Sequence, residues 1–234
     1  MVIERAEADA SVTFESTVDR LRRVAAGSEE SVLRFSRPAP VVGFGRRDEL
    51  NPGFARAVRA CAEHGFAASV RKVGGRAAAY HGDCLIIDHL VADADATSGN
   101  MRRYREFGRL YAEALGDLGL HAAVGEIPLE YCPGEYSVHG LVAGDHRIKL
   151  VGTAQRVVAG GWWFSAGIVV RRPEPLRAVL TEVYAHLRLP LDPSTVGSVD
   201  QAVPEVRCED VEDAVQERYE RWARETPVRG TRRA

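Results

Sequence analysis

The sequence contains almost no lysine. Of its 234 residues, 31 are Lys or Arg, and only Lys72 and Lys149 among them are lysines. A lysine ammonium is a compact point charge and a guanidinium is a planar fork, so the two are not interchangeable where one oxygen must be reached. Lys149 lies in the apolar, strand-like segment 147–151. It is either a half-buried lysine that extends towards solvent or a lysine kept for one specific contact, and the spacing leaves both interpretations open.

Cysteine is also scarce, and the spacing of the cysteines argues against a Cys-x-x-Cys motif and against a disulfide scaffold. The four cysteines, Cys61, Cys84, Cys132 and Cys208, contain no Cys-x-x-Cys pair. So few separated thiols indicate reduced cysteines and not a disulfide scaffold. The seven histidines show no metal-ligand spacing, so no metal site is expected.

Long apolar runs and excess positive charge are absent too. No window approaches the 18 uninterrupted apolar residues of a membrane span, and the acidic first ten residues lack the apolar core of a signal peptide. The net charge of −2 argues against a general nucleic-acid binder, which is usually strongly basic. We therefore expect a cytoplasmic protein that binds neither nucleic acid nor a membrane.

The apolar pattern predicts strands and helices in mixed order, which favours an α+β fold with a mixed, largely antiparallel sheet. A chain of this length buries roughly 70% of its unfolded surface without a metal or disulfide. The predicted helices are 14–26, 52–64, 98–118, 175–187 and 208–224. The predicted strands are 31–35, 40–44, 66–73, 77–80, 84–91, 136–142, 148–151, 154–158 and 162–170.

The segment 71–82 is the first of three that carry residues suited to chemistry. Gly74 and Gly75 follow a predicted strand. Two glycines let the backbone approach a ligand closely and present N–H groups to an anion. Arg71, Lys72 and Arg76 add positive charge beside them.

Cys132 is the second candidate, because it lies on a Pro-Gly turn outside any apolar run. A free cysteine is usually a small buried hydrophobe. With an ordinary thiol pKa of about 8.5, only a few per cent of it is thiolate at neutral pH. A nearby cation such as Lys149 or Arg71 would raise that fraction and make the thiol a nucleophile.

The third candidate is Lys149 together with Gly152, Thr153 and Gln155. An ammonium in a partly desolvated groove holds a carbonyl or phosphate oxygen, and such a charge-assisted hydrogen bond contributes about 1.5–3 kcal/mol. Two other motifs are excluded. The pair Gly43-x-Gly45 lacks the third glycine of a dinucleotide loop, and no Gly-x-Ser-x-Gly is present.

Together these segments resemble the biotin/lipoate protein ligase superfamily, in particular its lipoate and octanoate branch, over roughly residues 35–197. Segment 71–80 resembles the family's Arg-x-x-Gly-Gly-x-Ala motif, which lines the acyl pocket. Segment 147–156 resembles its Lys-x-x-Gly-x-(Ala/Ser)-Gln signature, whose lysine contacts the acyl carbonyl and, in ligases, the adenylate phosphate. Segments 41–46 and 191–197 are similar as well. The resemblance implies one α+β catalytic domain over 1–234, with helices flanking a mixed, largely antiparallel sheet.

Within that branch, the Tyr-Cys-Pro-Gly-x-Tyr of residues 131–136 is most similar to octanoyl-[glycine cleavage H protein]:protein N-octanoyltransferases, where the matching cysteine carries an acyl thioester. The chain ends soon after Gly197, with room for one helix, so we expect no accessory C-terminal domain of the kind found in larger ligases. Many relatives have a third glycine where Arg76 stands and a histidine where Tyr80 stands. Here the histidine is His81, one place further on.

The resemblance implies that Cys132 takes an octanoyl or lipoyl group from a donor carrier, either glycine cleavage H protein or acyl carrier protein. The group then passes to a lysine of an acceptor lipoyl domain, with no cofactor required. Lys149 and backbone N–H groups near Gly74 and Gly75 would stabilise the oxyanion, so Cys132 and Lys149 are the expected catalytic residues. The expected substrate-binding residues are Arg71, Gly74, Gly75, Arg76, Ala77, Tyr80, His81, Gly152, Thr153, Ala154 and Gln155.

Further residues are expected around these. Apolar walls of an acyl tunnel are expected at Val73, Ala77, Ala78, Ala79 and Ile87. Arginines that steer an acidic carrier are expected at Arg46, Arg47, Arg71 and Arg156.

Two alternatives remain open at this point. An ATP-dependent lipoate-protein ligase makes an adenylate, needs ATP and Mg, and tolerates the loss of Cys132. A non-catalytic module of the same fold binds a carrier or a fatty acid without transferring the acyl group, and Lys149 is then only a ligand contact.

Overall fold

The computed structural model describes residues 1–6, 14–71 and 73–225. Lys72, one of the basic residues expected near the double glycine, lies outside the described residues. The described part has the α+β fold that the sequence predicts. Its strands are β1 (Val2–Ala6), β2 (Val32–Ser36), β3 (Val41–Phe44), β4 (Ala67–Val70), β5 (Ala78–Tyr80), β6 (Cys84–Ala92), β7 (Ala122–Val124), β8 (Val138–Val142), β9 (His146–Val158) and β10 (Gly161–Val169). Its α-helices are α1 (Phe14–Ala25), α2 (Arg46–Glu49), α3 (Phe54–Glu63), α4 (Asn100–Asp117), α5 (Glu174–Leu187) and α6 (Cys208–Glu225).

The larger sheet has seven strands in the order β1-β2-β6-β10-β9-β8-β7. Strands β1 and β2 are parallel, and every other neighbouring pair is antiparallel. The central strands β6 and β10 are buried along most of their length. Burial on both faces explains why their sequences read as nearly continuous apolar runs.

Helices α4 and α6 cover one face of this sheet. His89 of β6 lies in that core, in edge-to-face contact with Phe107, Trp162, Tyr219 and Trp222. Burial lowers the pKa of His89 to about 3, so the imidazole is neutral at physiological pH. This histidine is therefore part of the core and not a titrating group of a site.

A smaller sheet of three strands, in the order β4-β3-β5, lies over the opposite face. Strand β3 is parallel to β4 and antiparallel to β5. Helices α3 and α5 pack behind it, where the buried alanines Ala77, Ala78 and Ala79 allow close approach. Helix α1 packs on the same face of the large sheet, beside the small one.

The structure corrects several predicted boundaries. Segments 148–151 and 154–158 form one strand, β9, because Gly152 keeps its ladder position opposite Gly167. The helix expected from 52 begins at Phe54, since Asn51 accepts a hydrogen bond from the Gly53 N–H and closes a turn there. Strands β1 and β7 were not predicted, because three to five edge residues carry little periodicity. Among the described residues, no helix is long and apolar enough to cross a membrane.

Candidate active site

A cavity of about 650 Å³ lies between the large sheet, the small sheet and the segment 131–137. Nine of the predicted site residues line it. They are Cys132, Lys149, Arg71, Gly74, Gly75, Tyr80, Gly152, Thr153 and Ala154. The three segments singled out in the sequence thus meet at one cavity, although the first is far from the other two in the chain.

Three other predicted residues, Arg76, Ala77 and Gln155, lie beside the cavity wall. The Arg76 side chain donates to Asp48 Oδ1 (3.0 Å), and the Ala77 carbonyl accepts from the Tyr184 hydroxyl (3.0 Å). Gln155 donates to the Asn100 carbonyl (2.8 Å). These three residues do not line the cavity, and their hydrogen bonds hold the segments that form its wall.

His81 is held in the turn between β5 and β6. Its Nε2 lies 2.9 Å from the Arg172 carbonyl, and its Nδ1 accepts from the Asp83 N–H at 3.1 Å. These partners assign the proton to Nε2. Both ring nitrogens are engaged, so the shift of one place from the family's histidine position coincides with a structural role here.

Cys132 lies in a turn with φ of 42°, a left-handed conformation that non-glycine residues rarely adopt. The Tyr184 hydroxyl on α5 fixes this turn. It accepts a hydrogen bond from the Cys132 N–H at 2.5 Å and donates one to the Ala77 carbonyl. One buried hydroxyl therefore joins the cysteine turn to the end of the double-glycine segment.

The Cys132 thiol has donors on two sides. Arg71 Nη2 lies 3.1 Å from Sγ, and the Arg76 N–H lies 3.2 Å from it. Burial raises the pKa of Cys132, but the charges of Arg71 and Lys149 and these hydrogen bonds outweigh burial and hold the pKa below its usual value. A lower pKa means more thiolate at neutral pH, which is the nucleophilic form.

The remaining cysteines have the opposite electrostatics. Burial raises the pKa of Cys61 to about 11, of Cys84 to about 12 and of Cys208 to about 11. Each is a buried, protonated thiol packed in the core. Of the four cysteines, Cys132 is the one whose pKa is lowered.

Gly75 lies so close to the Cys132 thiol that no side chain fits at this position. Its φ is 108°, and a Cβ there would lie 2.5 Å from Arg71 Nη2 and 2.7 Å from Cys132 Sγ. Gly45 packs against it in turn, since a Cβ on Gly45 would lie 1.9 Å from the Gly75 carbonyl oxygen. Gly74 has open space around its Cβ position. The close approach of arginine, thiol and backbone therefore depends on the second glycine of the pair.

Lys149 is fully buried, so it does not extend to solvent. Its Nζ donates to Glu130 Oε1 (3.0 Å), the Tyr131 carbonyl (2.9 Å) and the Cys132 carbonyl (2.8 Å). An ammonium has three N–H donors, and each has an acceptor in the segment 130–132. Lys149 therefore holds the cysteine turn in place through three hydrogen bonds.

Glu130 is the acidic partner that the sequence analysis did not select. It is fully buried and also accepts from Ser137 Oγ (2.9 Å) and the Gly134 N–H (3.2 Å). The sequence offered one signal for Glu130: it lies two residues before Cys132, and a buried lysine such as Lys149 needs an acidic partner. Tyr184 was missed as well, because a tyrosine on an amphipathic helix looks like any core aromatic residue.

The walls of the cavity differ in part from those expected. Val73 and Ala78 line it, whereas Ile87 points into the opposite core and Ile86 takes its place. Successive strand residues face opposite sides, so a shift of one residue changes the wall. Ala77 and Ala79 are buried in the core between the small sheet and α5.

The arginines expected to steer a carrier have different surroundings. Arg46 and Arg47 are exposed on α2, as that role requires. Arg71 is buried at the thiol, where it cannot meet a partner protein, so its role is local. Arg156 is partly buried on β9.

Comparison with known families identifies the domain. Residues 9–220 match the model of the lipoyl protein ligase A/B catalytic domain. The chain belongs to this family. No curated protein matches the chain.

Solved structures share the fold of this lipoyl protein ligase A/B catalytic domain. Lipoate-protein ligase A bound with ATP is 19% identical over 94% of this chain and 83% of its own, with a TM-score of 0.70. A bipartite lipoate protein ligase, studied with its E2 lipoyl domain, from Thermoplasma acidophilum is 17% identical over 94% of this chain and 82% of its own, with a TM-score of 0.68. At such identities the likeness shows the fold.

Proposed function

We propose that the protein transfers an octanoyl or lipoyl group to a lysine of a lipoyl domain through a thioester on Cys132. Membership of the family supports lipoyl or octanoyl attachment in general. One observation carries the finer assignment. The thiol that lines the cavity has a lowered pKa and receives hydrogen bonds from Arg71 and the Arg76 N–H.

In the first half-reaction, the Cys132 thiolate attacks the acyl carbonyl of the donor. The Sγ–C bond forms, the bond from the carbonyl carbon to the donor breaks, and the departing carrier amine or thiol takes up a proton. In the second, the acceptor lysine attacks the thioester, the amide forms and the thiolate leaves. The acceptor amine must first lose a proton, because its free pKa is about 10.4.

Lys149 acts in this scheme by position and charge. Its three N–H groups hold the cysteine turn, and its charge favours the thiolate. Arg71 and the Arg76 N–H are the donors nearest to the reacting sulfur. Donors already in place when charge develops lower the barrier without reorganisation.

The ligase alternative fits these residues less well. In an ATP-dependent ligase, the matching lysine contacts the adenylate phosphate. Here Lys149 would have to leave Glu130 and two carbonyls to reach a phosphate. Breaking a buried ion pair costs about 3–5 kcal/mol, so this arrangement favours an acyl thioester over an adenylate.

The partners follow from the same chemistry. The acceptor is a lipoyl domain, which is supported by the E2 lipoyl domain that accompanies the T. acidophilum ligase. The donor is an octanoyl carrier, glycine cleavage H protein or acyl carrier protein. Arg46 and Arg47 provide exposed positive charge that suits an acidic carrier.

A transfer assay without ATP tests the proposal. The full chain is incubated with octanoyl-H protein or octanoyl-acyl carrier protein and a lipoyl domain, and the mass of the lipoyl domain is recorded. We expect acylation by the wild-type chain and by Cys208→Ala, and none by Cys132→Ala. Acylation that needs ATP with free lipoate and survives in Cys132→Ala would identify a ligase.

A further inference from the structure

A buried ion pair lies in the wall of the cavity, where an acyl pocket is expected to be apolar. Arg34 Nη2 donates to Asp88 Oδ2 (2.6 Å) and to Thr17 Oγ1 (2.9 Å). Asp88 Oδ1 also accepts from Trp163 Nε1 (2.8 Å) and Ser165 Oγ (2.8 Å). The arginine and aspartate side chains are 8% and 5% exposed, and all five residues line the cavity.

The strand register places this pair across the large sheet from β9, the strand that carries Lys149. Asp88 is aligned with Arg34 on one side and, through β10, with Ala154 on β9. Gly152 precedes Ala154 by two residues, and a Cβ there would lie 3.7 Å from Lys149 Cε. Neighbouring strands lie about 4.8 Å apart, so Asp88 on β6 is two strands, or about 10 Å, across the sheet from β9, and Arg34 on β2 is one strand further. A medium-length acyl chain that starts beside Lys149 spans about the distance to the ion pair.

The pair has hydrogen-bond donors to spare. The two hydrogen bonds that the Arg34 guanidinium makes within residues 1–6, 14–71 and 73–225 both come from Nη2, so Nη1 has no acceptor there. Arg34 Nε is buried and also has no partner there. Asp88 is already the acceptor of three donors. Because the charges of Arg34 and Asp88 cancel, the unused N–H groups suit a neutral oxygen better than a second carboxylate.

A purely structural role explains the pair poorly. Replacing a buried ion pair by apolar residues of similar volume is often neutral or stabilising, since desolvation offsets the Coulomb attraction. A cavity for an unsubstituted octanoyl chain would gain from such a replacement. A ligand oxygen that accepts a hydrogen bond from Arg34 would explain why a buried ion pair lies in the cavity wall.

We infer that Arg34, held by Asp88, binds a hydroxyl or keto oxygen near the distal end of the acyl chain. The protein then handles oxygenated medium-chain acyl groups in preference to plain octanoyl. This inference rests on the proposed function for the identity of the ligand as an acyl chain. It adds a specificity-determining contact at the end of the cavity remote from the thiol.

Calorimetric binding of two free acids to the full chain tests this without any acyl transfer. We expect 8-hydroxyoctanoic acid to bind the wild-type chain at least about tenfold more tightly than octanoic acid, the advantage of one hydrogen bond to a charged group. The double variant Arg34→Met/Asp88→Asn removes both charges and keeps an acceptor for Trp163 and Ser165. We expect it to lose the preference, and Arg37→Met, at a partly exposed arginine of the cavity lining, to keep it.

Three results would overturn the inference. Octanoic acid that binds as tightly as the hydroxy acid shows that no polar contact is made. A preference that survives in the double variant shows that Arg34 is not its source. If neither acid binds, the cavity is not an acyl site, and the proposed function fails together with the inference. Binding of octanoic acid alone leaves the proposed function intact.

Discussion

Arg71 and Cys132 are 61 residues apart in the chain, and the guanidinium nitrogen Nη2 lies 3.1 Å from the sulfur. The same nitrogen donates to the Arg76 carbonyl, so the arginine closes the double-glycine turn around the thiol. Arg71 is buried, and its charge acts in a region of low dielectric, where it is screened little. This pairing makes the arginine the main electrostatic support of a Cys132 thiolate.

Replacing Arg71 should shift the pH dependence of the thiol. In the wild-type chain the Cys132 pKa is lowered, so the rate of alkylation by iodoacetamide falls only when the pH drops through that lowered pKa. Removing an adjacent opposite charge typically raises a pKa by about 1–3 units. We therefore expect the rate profile of Arg71→Met to move to higher pH by about that amount.

Arg76→Met is the matched control for this profile. The Arg76 side chain pairs with Asp48, and only its backbone N–H reaches the thiol. The variant should keep a profile near that of the wild type. A profile of Arg71→Met that coincides with the wild type would contradict the role given to Arg71.

The two adjacent glycines should respond differently to alanine. At Gly75 the positive φ and the contacts with Arg71 and Cys132 leave no room for a Cβ, whereas at Gly74 the space is open. We expect Gly75→Ala to slow Cys132 alkylation at least about tenfold through a displaced thiol or guanidinium, and Gly74→Ala to stay within about twofold. Equal effects of the two substitutions would show that the turn does not organise the thiol.

The sequence predicted that the three segments lie at one site, but it did not predict the hydrogen bonds between their residues. Cys132, Lys149 and Gly75 were selected from chemistry, turn residues and family resemblance, and all three line one cavity. The helices α4, α5 and α6 were also foreseen, because long amphipathic periods are strong signals. The fold class followed from the mixed order of elements.

The buried polar partners were harder to foresee. Glu130, Asp88 and Tyr184 act through tertiary hydrogen bonds, and nothing in their local spacing says which donor each will meet. Whether Ile86 or Ile87 lines the cavity depends on strand register, which one residue of error inverts. Pairwise contacts across the fold, and not local pattern, determine these details.

The Lys149–Glu130 pair should dominate local stability. Both side chains are fully buried, so Lys149→Met leaves an uncompensated carboxylate and should lower the free energy of unfolding by about 3–5 kcal/mol. The double variant Lys149→Met/Glu130→Gln removes both charges and should recover part of that loss. Urea denaturation of the single and double variants measures the coupling.

A double variant that is less stable than Lys149→Met would contradict this assignment. It would mean that Glu130 stabilises the fold through Ser137 and Gly134 independently of the lysine. An exposed pair such as Asp19 and Arg22 provides the contrast. Its removal should cost no more than about 0.5 kcal/mol.

Two buried tyrosines allow stability and reactivity to be separated. Tyr184→Phe removes the hydroxyl that accepts from the Cys132 N–H, and Tyr111→Phe removes one that pairs with Tyr219 far from the site. Each loss should destabilise the chain by about 1 kcal/mol. Only Tyr184→Phe should also slow Cys132 alkylation, because only that hydroxyl holds the cysteine turn. Unchanged alkylation in Tyr184→Phe would remove Tyr184 from the site.

The most direct test of a Cys132 thioester is the intact mass of the protein after mixing with octanoyl-H protein or octanoyl-acyl carrier protein, with ATP omitted. We predict the mass of one added octanoyl group on the wild-type chain and on Cys61→Ala, labile to hydroxylamine as a thioester is, and no added mass on Cys132→Ala. An adduct that persists in Cys132→Ala, or no adduct with either donor, would contradict acyl transfer through a Cys132 thioester.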